Sequence, residues 1–253
     1  MTRRALLLLC ALALASVTAR ADSLMTDLSQ RLIAITSSFT GSSILVFGAV
    51  VPDGPGKRDV VVVLRGPDQS IRVRKKERVF GIWVNNEAQA FEGVPAFYAV
   101  ASTRPLPEIG AIGHLQRHQI GIADLKLRER GGNGAEEDRP ETPDFREALL
   151  RLKQRQGLYV GGLTPVTFVG PNLFRAEFQF PSNVPVGSYK AEIYLFSDGD
   201  LVGANSSALF VDKTGLERWI YKAAMNYPAL YGLVAIAIAV GIGWAAAIIF
   251  RKA

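Results

Sequence analysis

The sequence predicts a mainly β fold, a β-sandwich followed by one C-terminal transmembrane helix, and three observations carry that prediction. About nine short runs rich in β-branched and aromatic residues lie between clusters of Gly, Pro, Asp and Asn. A single amphipathic helical stretch interrupts them, and the 22 residues from Ala229 to Phe250 carry no charge.

The first 21 residues read as a signal peptide. Arg3 and Arg4 precede an apolar run from Ala5 to Val17, and Ala19 and Ala21 supply the small side chains of a cleavage site after Ala21. That run is too short to span a bilayer. Cys10 follows Leu9 in the middle of the run, which is not a lipidation pattern. Cysteine occurs once in the chain, so removal of the signal leaves an exported domain without disulfides, thiolate metal sites or cysteine nucleophiles. Such a domain depends on an ordinary apolar core.

The exported domain is expected over 22–213. Its first strands fall at 32–36, 43–50, 59–64, 70–75, 79–84 and 96–102, with turns at 52–56 and 66–68. Residues 110–127 show neither period clearly. A loop is expected over 130–143, which has no large apolar residue to join a core. A helix follows over 144–156, with Phe145, Leu149 and Leu152 at helical spacing and Thr142 or Asp144 able to cap its first turn. Strands resume at 173–180, 188–196 and 201–211 and are expected as sequential antiparallel neighbours, joined by turns at Pro185-Val186-Gly187 and Asp198-Gly199-Asp200. Strands at this spacing argue for an immunoglobulin-like sandwich. One composite sandwich is expected, because residues 157–213 alone offer too few strands to cover both faces of a separate core.

After a juxtamembrane segment at 214–228, residues 229–250 are long enough, at about 1.5 Å per residue, to cross the roughly 30 Å hydrocarbon layer. Trp219, Tyr221, Tyr227 and Tyr231 cluster at the outer end of this helix, and Arg251 and Lys252 follow its inner end. The expected topology is single-pass in a lipid bilayer, with the domain outside the cytosol and a cytosolic tail at 251–253. Within the helix, Ala235, Ala239, Gly243 and Ala247 form a small-residue stripe on which a helix of an integral membrane partner could pack.

Charge narrows the function classes. The formal net charge is +6, but Arg3, Arg4, Arg20, Arg251 and Lys252 sit at ends that hold no acid, leaving the interior nearly neutral. Nucleic acid is therefore not an expected partner. No nucleophile elbow, phosphate-binding loop or zinc-protease motif is present, and neither catalysis nor a cofactor is expected. The two histidines, His114 and His118, stand four apart and could hold a metal with Asp124 on a stable helix. Gly110, Gly113 and Gly121 around them argue against such a helix. The densest charge cluster joins Arg65 to Arg72, Arg74, Lys75, Lys76 and Arg78. With Ile71 and Val73 turned to the core, Arg72, Arg74 and Lys76 share an outer face suited to an anion, anionic lipid or an acidic partner surface. Trp83 is expected in the core, with Asn85 and Asn86 turning the chain.

The succession Ile35-Thr-Ser-Ser-Phe-Thr-Gly41, Arg65-Gly-Pro67, Lys76-Glu-Arg-Val-Phe-Gly-Ile-Trp-Val-Asn85, Pro95-Ala-Phe-Tyr-Ala-Val100 and Val184-Pro-Val-Gly-Ser-Tyr189 resembles the alphaproteobacterial transmembrane protein family Alph_Pro_TM. The likeness continues through Leu216-Glu-Arg218 and Tyr231-Gly232 into the terminal helix. It implies a Gram-negative inner membrane with the domain periplasmic, and an accessory role beside an anion-transporter-type complex. It carries over no catalytic residue. Two expectations follow. The first is a binding or accessory protein without an active site. The second is a membrane-tethered solute- or metal-binding protein or hydrolase, which requires Trp83, Asn85, His114 and His118 to converge on one pocket.

Overall fold

The computed structural model describes residues 23–51, 56–130 and 143–250. The expected signal peptide, nearly all of the 130–143 loop and the C-terminal tail lie outside the described residues.

Two sheets face each other. The first runs β1 (Ser23–Leu28), β3 (Gly41–Val51), β11 (Leu173–Pro181), β10 (Thr167–Val169). The second runs β2 (Leu32–Ile35), β13 (Asp200–Lys213), β12 (Gly187–Ser197), β4 (Arg58–Arg65), β7 (Tyr98–Ser102), β9 (Thr164–Pro165). Taken in chain order, these are the A-B-E-D and G-F-C rows of an immunoglobulin sandwich, the second row widened on both sides. Strands from both halves of the chain share each sheet, since β3 pairs with β11 and β4 with β12. β2 lies parallel to the end of β13, Phe210 to Lys213.

The last three long strands are not sequential neighbours. β12 and β13 form a hairpin, but β11 belongs to the opposite sheet and pairs with β3. The chain crosses between sheets at Ser182–Val186, and the crossing is held by a clamp: the Tyr189 hydroxyl donates to the carbonyl of Pro185 at 2.6 Å. This is the tyrosine corner of the immunoglobulin fold. The Tyr189 ring is buried, with centroids 6.1 Å from Phe97 and 5.7 Å from Phe180, and those two stack on each other at 4.9 Å. Aromatic packing from both sheets thus closes a core that has no disulfide.

β4 reads as a continuous apolar run, and Val60 through Leu64 are fully buried, because it is covered on both faces. The first sheet covers one. The other is covered by the short helix α1 (Leu106–Ile109) and by the segment 110–127 left ambiguous by its sequence, whose start folds into a second short helix, α2 (Ile112–Arg117). Gly110 lets the backbone close over the Phe196 ring, where a Cβ would stand 2.7 Å from a ring carbon. His118 packs on Tyr194, with ring centroids 5.1 Å apart. Tyr98 donates to the Gln119 carbonyl and accepts from the Gly121 amide, both at 2.8 Å. Burial pushes its hydroxyl up to about 12, so it remains a neutral donor. Arg65 ties the same turn, donating to the carbonyls of His118 at 2.6 Å and Gln119 at 2.9 Å while pairing with Glu192 at 3.0 Å.

A second polar tie lies at the other end of β4. Asp59, buried, accepts from the Thr103 hydroxyl at 2.7 Å, from Arg104 Nε at 2.9 Å and from a second nitrogen of the same guanidinium. Burial opposes its charge, but these hydrogen bonds prevail and hold its pKa below the ordinary carboxylate value.

α3 (Pro143–Arg155) forms within a residue of the expected helix, although rotated. Leu149 is buried as expected, Leu152 is exposed, and Lys153 turns inward over the Tyr159 ring. The expected juxtamembrane segment is also a helix, α4 (Leu216–Asn226), which breaks at Tyr227 before α5 (Pro228–Phe250). Within Pro228–Ile249 an 18-residue stretch has a mean hydropathy of 2.4, and none of that stretch is buried against the domain. This helix is long and apolar enough to cross a bilayer, and it anchors the chain.

Candidate functional site

The expected strand 70–75 lies within β5 (Asp68–Val79), whereas the expected strand 79–84 is not one strand: it straddles the end of β5, a turn and the start of β6 (Ile82–Pro95), and the two long strands are inserted between β4 and β7 as an arm outside the sandwich. The root of the arm is packed: Val73, Phe91 and Val94 are buried, β8 (Arg128–Arg130) adds a third strand opposite Ala90 to Glu92, and α3 packs against β5. Beyond the opposed pair Lys75 and Glu87 the arm is two strands wide. Asn86 is an extra residue there, a bulge that sharpens the local twist.

Register separates the two faces. Arg72, Arg74, Lys76 and Arg78 stand opposite Ala90, Ala88, Asn85 and Trp83 on one face. Ile71, Val73, Lys75, Glu77 and Val79 stand opposite Phe91, Gln89, Glu87, Val84 and Ile82 on the other. The basic stripe read from alternation is therefore present, with Arg72, Arg74 and Lys76 all exposed. Among the described residues the side chains of these three make no hydrogen bond or ion pair. Between Ile71 and Asn86 five residues are basic and one is acidic.

The tip reverses the sequence expectation. Trp83 is not in the core; 67% of it is exposed, as is 70% of Ile82 and all of Phe80. The chain turns at Phe80 and Gly81, not at Asn85 and Asn86, and both turn residues have positive φ, 49° and 84°. That is the twist of a two-residue hairpin turn which suits tight antiparallel strands. Gly81 adopts it freely, whereas a phenylalanine there costs on the order of 1–2 kcal/mol. The fold thus tolerates strain to hold a fully exposed aromatic ring at the apex. Sequence reasoning missed Phe80, since Val-Phe-Gly-Ile reads as uninterrupted strand; the available signal was the lone Gly81 between two β runs.

The root of the arm lies at one definite end of the sandwich. Arg65, the last residue of β4, pairs with Lys190, which pairs with Ala208, and Lys213 ends β13 five residues farther along. The arm and the membrane anchor therefore depart from the same end. A surface cleft of about 550 Å³ at the root is lined by Arg65, Asp68, Lys126, Arg128 and Lys190. Arg65 and Lys190 are both committed there to Glu192, at 3.0 and 2.8 Å.

The four residues Trp83, Asn85, His114 and His118 do not converge on one pocket. His114 and His118 belong to α2 and its C-cap, with His118 against Tyr194. Trp83 and Asn85 stand on the distal arm, and no group of three metal-ligating side chains gathers among the described residues. Ala235, Ala239, Gly243 and Ala247 are exposed along α5, and Ala235 faces a groove between α4 and α5 lined also by Trp219, Ala223, Tyr227 and Tyr231.

Over residues 23–252 the chain matches the family model described as putative transmembrane protein (Alph_Pro_TM). No curated protein and no solved structure matches it.

Proposed function

The chain belongs to that transmembrane protein family, and from this premise we propose that it is an accessory protein of the bacterial inner membrane which works by binding and not by catalysis. Its domain is periplasmic and its C-terminus cytosolic. The observation that carries the reading is the arm, which exposes Phe80, Ile82, Trp83 and an unpaired basic stripe and contributes none of them to the domain's own core. Exposed apolar groups rimmed by charge mark an interaction surface. The stripe of Ala235, Ala239, Gly243 and Ala247 offers α5 a close-packing face for an integral membrane neighbour, a subunit of an anion-transporter-type complex by family resemblance.

A mild-detergent pulldown of the full-length chain from its native membrane tests this. It is run beside one version with α5 replaced by an unrelated apolar helix and one carrying Phe80→Ser and Trp83→Ser. A membrane protein recovered stoichiometrically with the wild type and reduced in either variant supports the accessory role. Recovery of no partner with any version refutes it.

A further inference from the structure

We propose that the tip of the arm immerses in the surface of an anionic phospholipid bilayer, giving the domain a second attachment to the membrane that α5 crosses. The inference rests on the arm being the binding surface and names what it binds.

The distribution of apolar groups favours a fluid medium over a protein surface. Val79, Ile82 and Val84 lie on one face of the ribbon, Trp83 on the other and Phe80 at the apex. A folded partner covers one side of such a wedge, whereas the headgroup and upper acyl region surrounds it. Trp and Phe are the residues that settle at this depth. Charge follows in the right order. Arg78, Lys76, Arg74 and Arg72 succeed one another away from the apex on the Trp83 face, so an immersed tip brings the stripe to the level of lipid phosphates. The root leaves the sandwich at the end from which β13 leads to the anchor. From that root, β5 reaches about 36 Å at about 3.3 Å per residue, far enough to meet the bilayer beside α5. Immersion also accounts for Phe80: a strained, wholly exposed ring in water finds its burial in lipid.

The test uses the full-length chain in vesicles of phosphatidylcholine with or without phosphatidylglycerol. Trp219→Phe and Trp244→Phe leave Trp83 as the one fluorophore of its kind. In vesicles containing phosphatidylglycerol, Trp83 emission shifts to the blue, is quenched by lipids carrying a nitroxide high on the acyl chain, and is shielded from aqueous acrylamide. Reversing Arg72, Arg74 and Lys76 to Glu weakens immersion by on the order of a hundredfold, from about fivefold per basic residue. Phe80→Ser weakens it about tenfold or more. Matched thermal midpoints show that each variant is folded. Equal shielding in both vesicle types overturns the anionic assignment. Acrylamide access in both, with shielding in native membranes, overturns the lipid partner in favour of a protein and leaves the arm as the binding surface. Access in native membranes as well overturns both.

Discussion

Replacing Tyr189 by Phe removes a single oxygen from the sheet crossing and leaves the ring between Phe97 and Phe180. The hydroxyl donates at 2.6 Å to Pro185, a half-buried residue whose carbonyl loses that donor. A net hydrogen bond contributes about 0.5–1.5 kcal/mol, and an incompletely satisfied acceptor adds to the loss, for about 1–2 kcal/mol in all. In a domain of this size each kcal/mol moves the midpoint by about 2–4 °C, so the expected fall is about 2–8 °C. Thermal unfolding of the full chain in detergent, followed by near-ultraviolet circular dichroism, reads it directly. Tyr221→Phe serves as the control, being 66% exposed. An unchanged midpoint in Tyr189→Phe, with the control also unchanged, would refute the claim that this hydroxyl clamps the crossing. A loss above about 3 kcal/mol, the scale of deleting a buried aromatic ring, would mean that the ring had moved.

Asp59→Asn should destabilise the domain by about 1.5–3 kcal/mol, because the buried carboxylate that accepts from Thr103 and Arg104 loses its charge-assisted hydrogen bonds. The wild type should show the matching pH dependence. Asp59 has a depressed folded pKa, so its contribution is complete above the unfolded value near 3.8 and is lost as pH falls through the lower folded value; denaturant midpoints that stay flat below pH 4 would contradict this. Gly48→Ala should cost about 2 kcal/mol or more in the same melts, since the new Cβ would stand 2.3 Å from the Met25 carbonyl oxygen and 2.7 Å from the Phe174 ring. Phe80→Ser with Trp83→Ser should leave the thermal midpoint in detergent unchanged to within about 0.5 kcal/mol, because exposed side chains outside the core carry little folding energy.

The strands of the sandwich were legible because their period and punctuation are local properties. β3, β4, β11, β12 and β13 lie within a few residues of the expected runs. Sheet membership was not local. The turn before β12 looks like a hairpin connection whether the chain stays in its sheet or crosses, and only the three-dimensional clamp from Tyr189 to Pro185 distinguishes them. The same limit hid the arm. Arg72, Arg74 and Lys76 were found by alternation alone, but Trp83 was assigned to the core on the usual preference of tryptophan, a preference that says nothing about whether a layer exists to cover it. α2 was obscured by the glycines around it, and Gly110 is now accounted for by the Phe196 ring pressed against its backbone. α4 was read as a connection, although it is a helix in its own right. His114 and His118 lie in a cap whose visible role is to cover β12.

The parallel pairing of β2 with the last four residues of β13 has a mechanical consequence. Any tension between the membrane helix and the domain enters β13 at Lys213, directed along the strand. The hydrogen bonds to β2 on one side and to β12 on the other cross that direction. They must slip together, as in a lap joint, and cannot open one after another from the end. The tether is thus joined to the domain through hydrogen bonds that lie across the strand it pulls on.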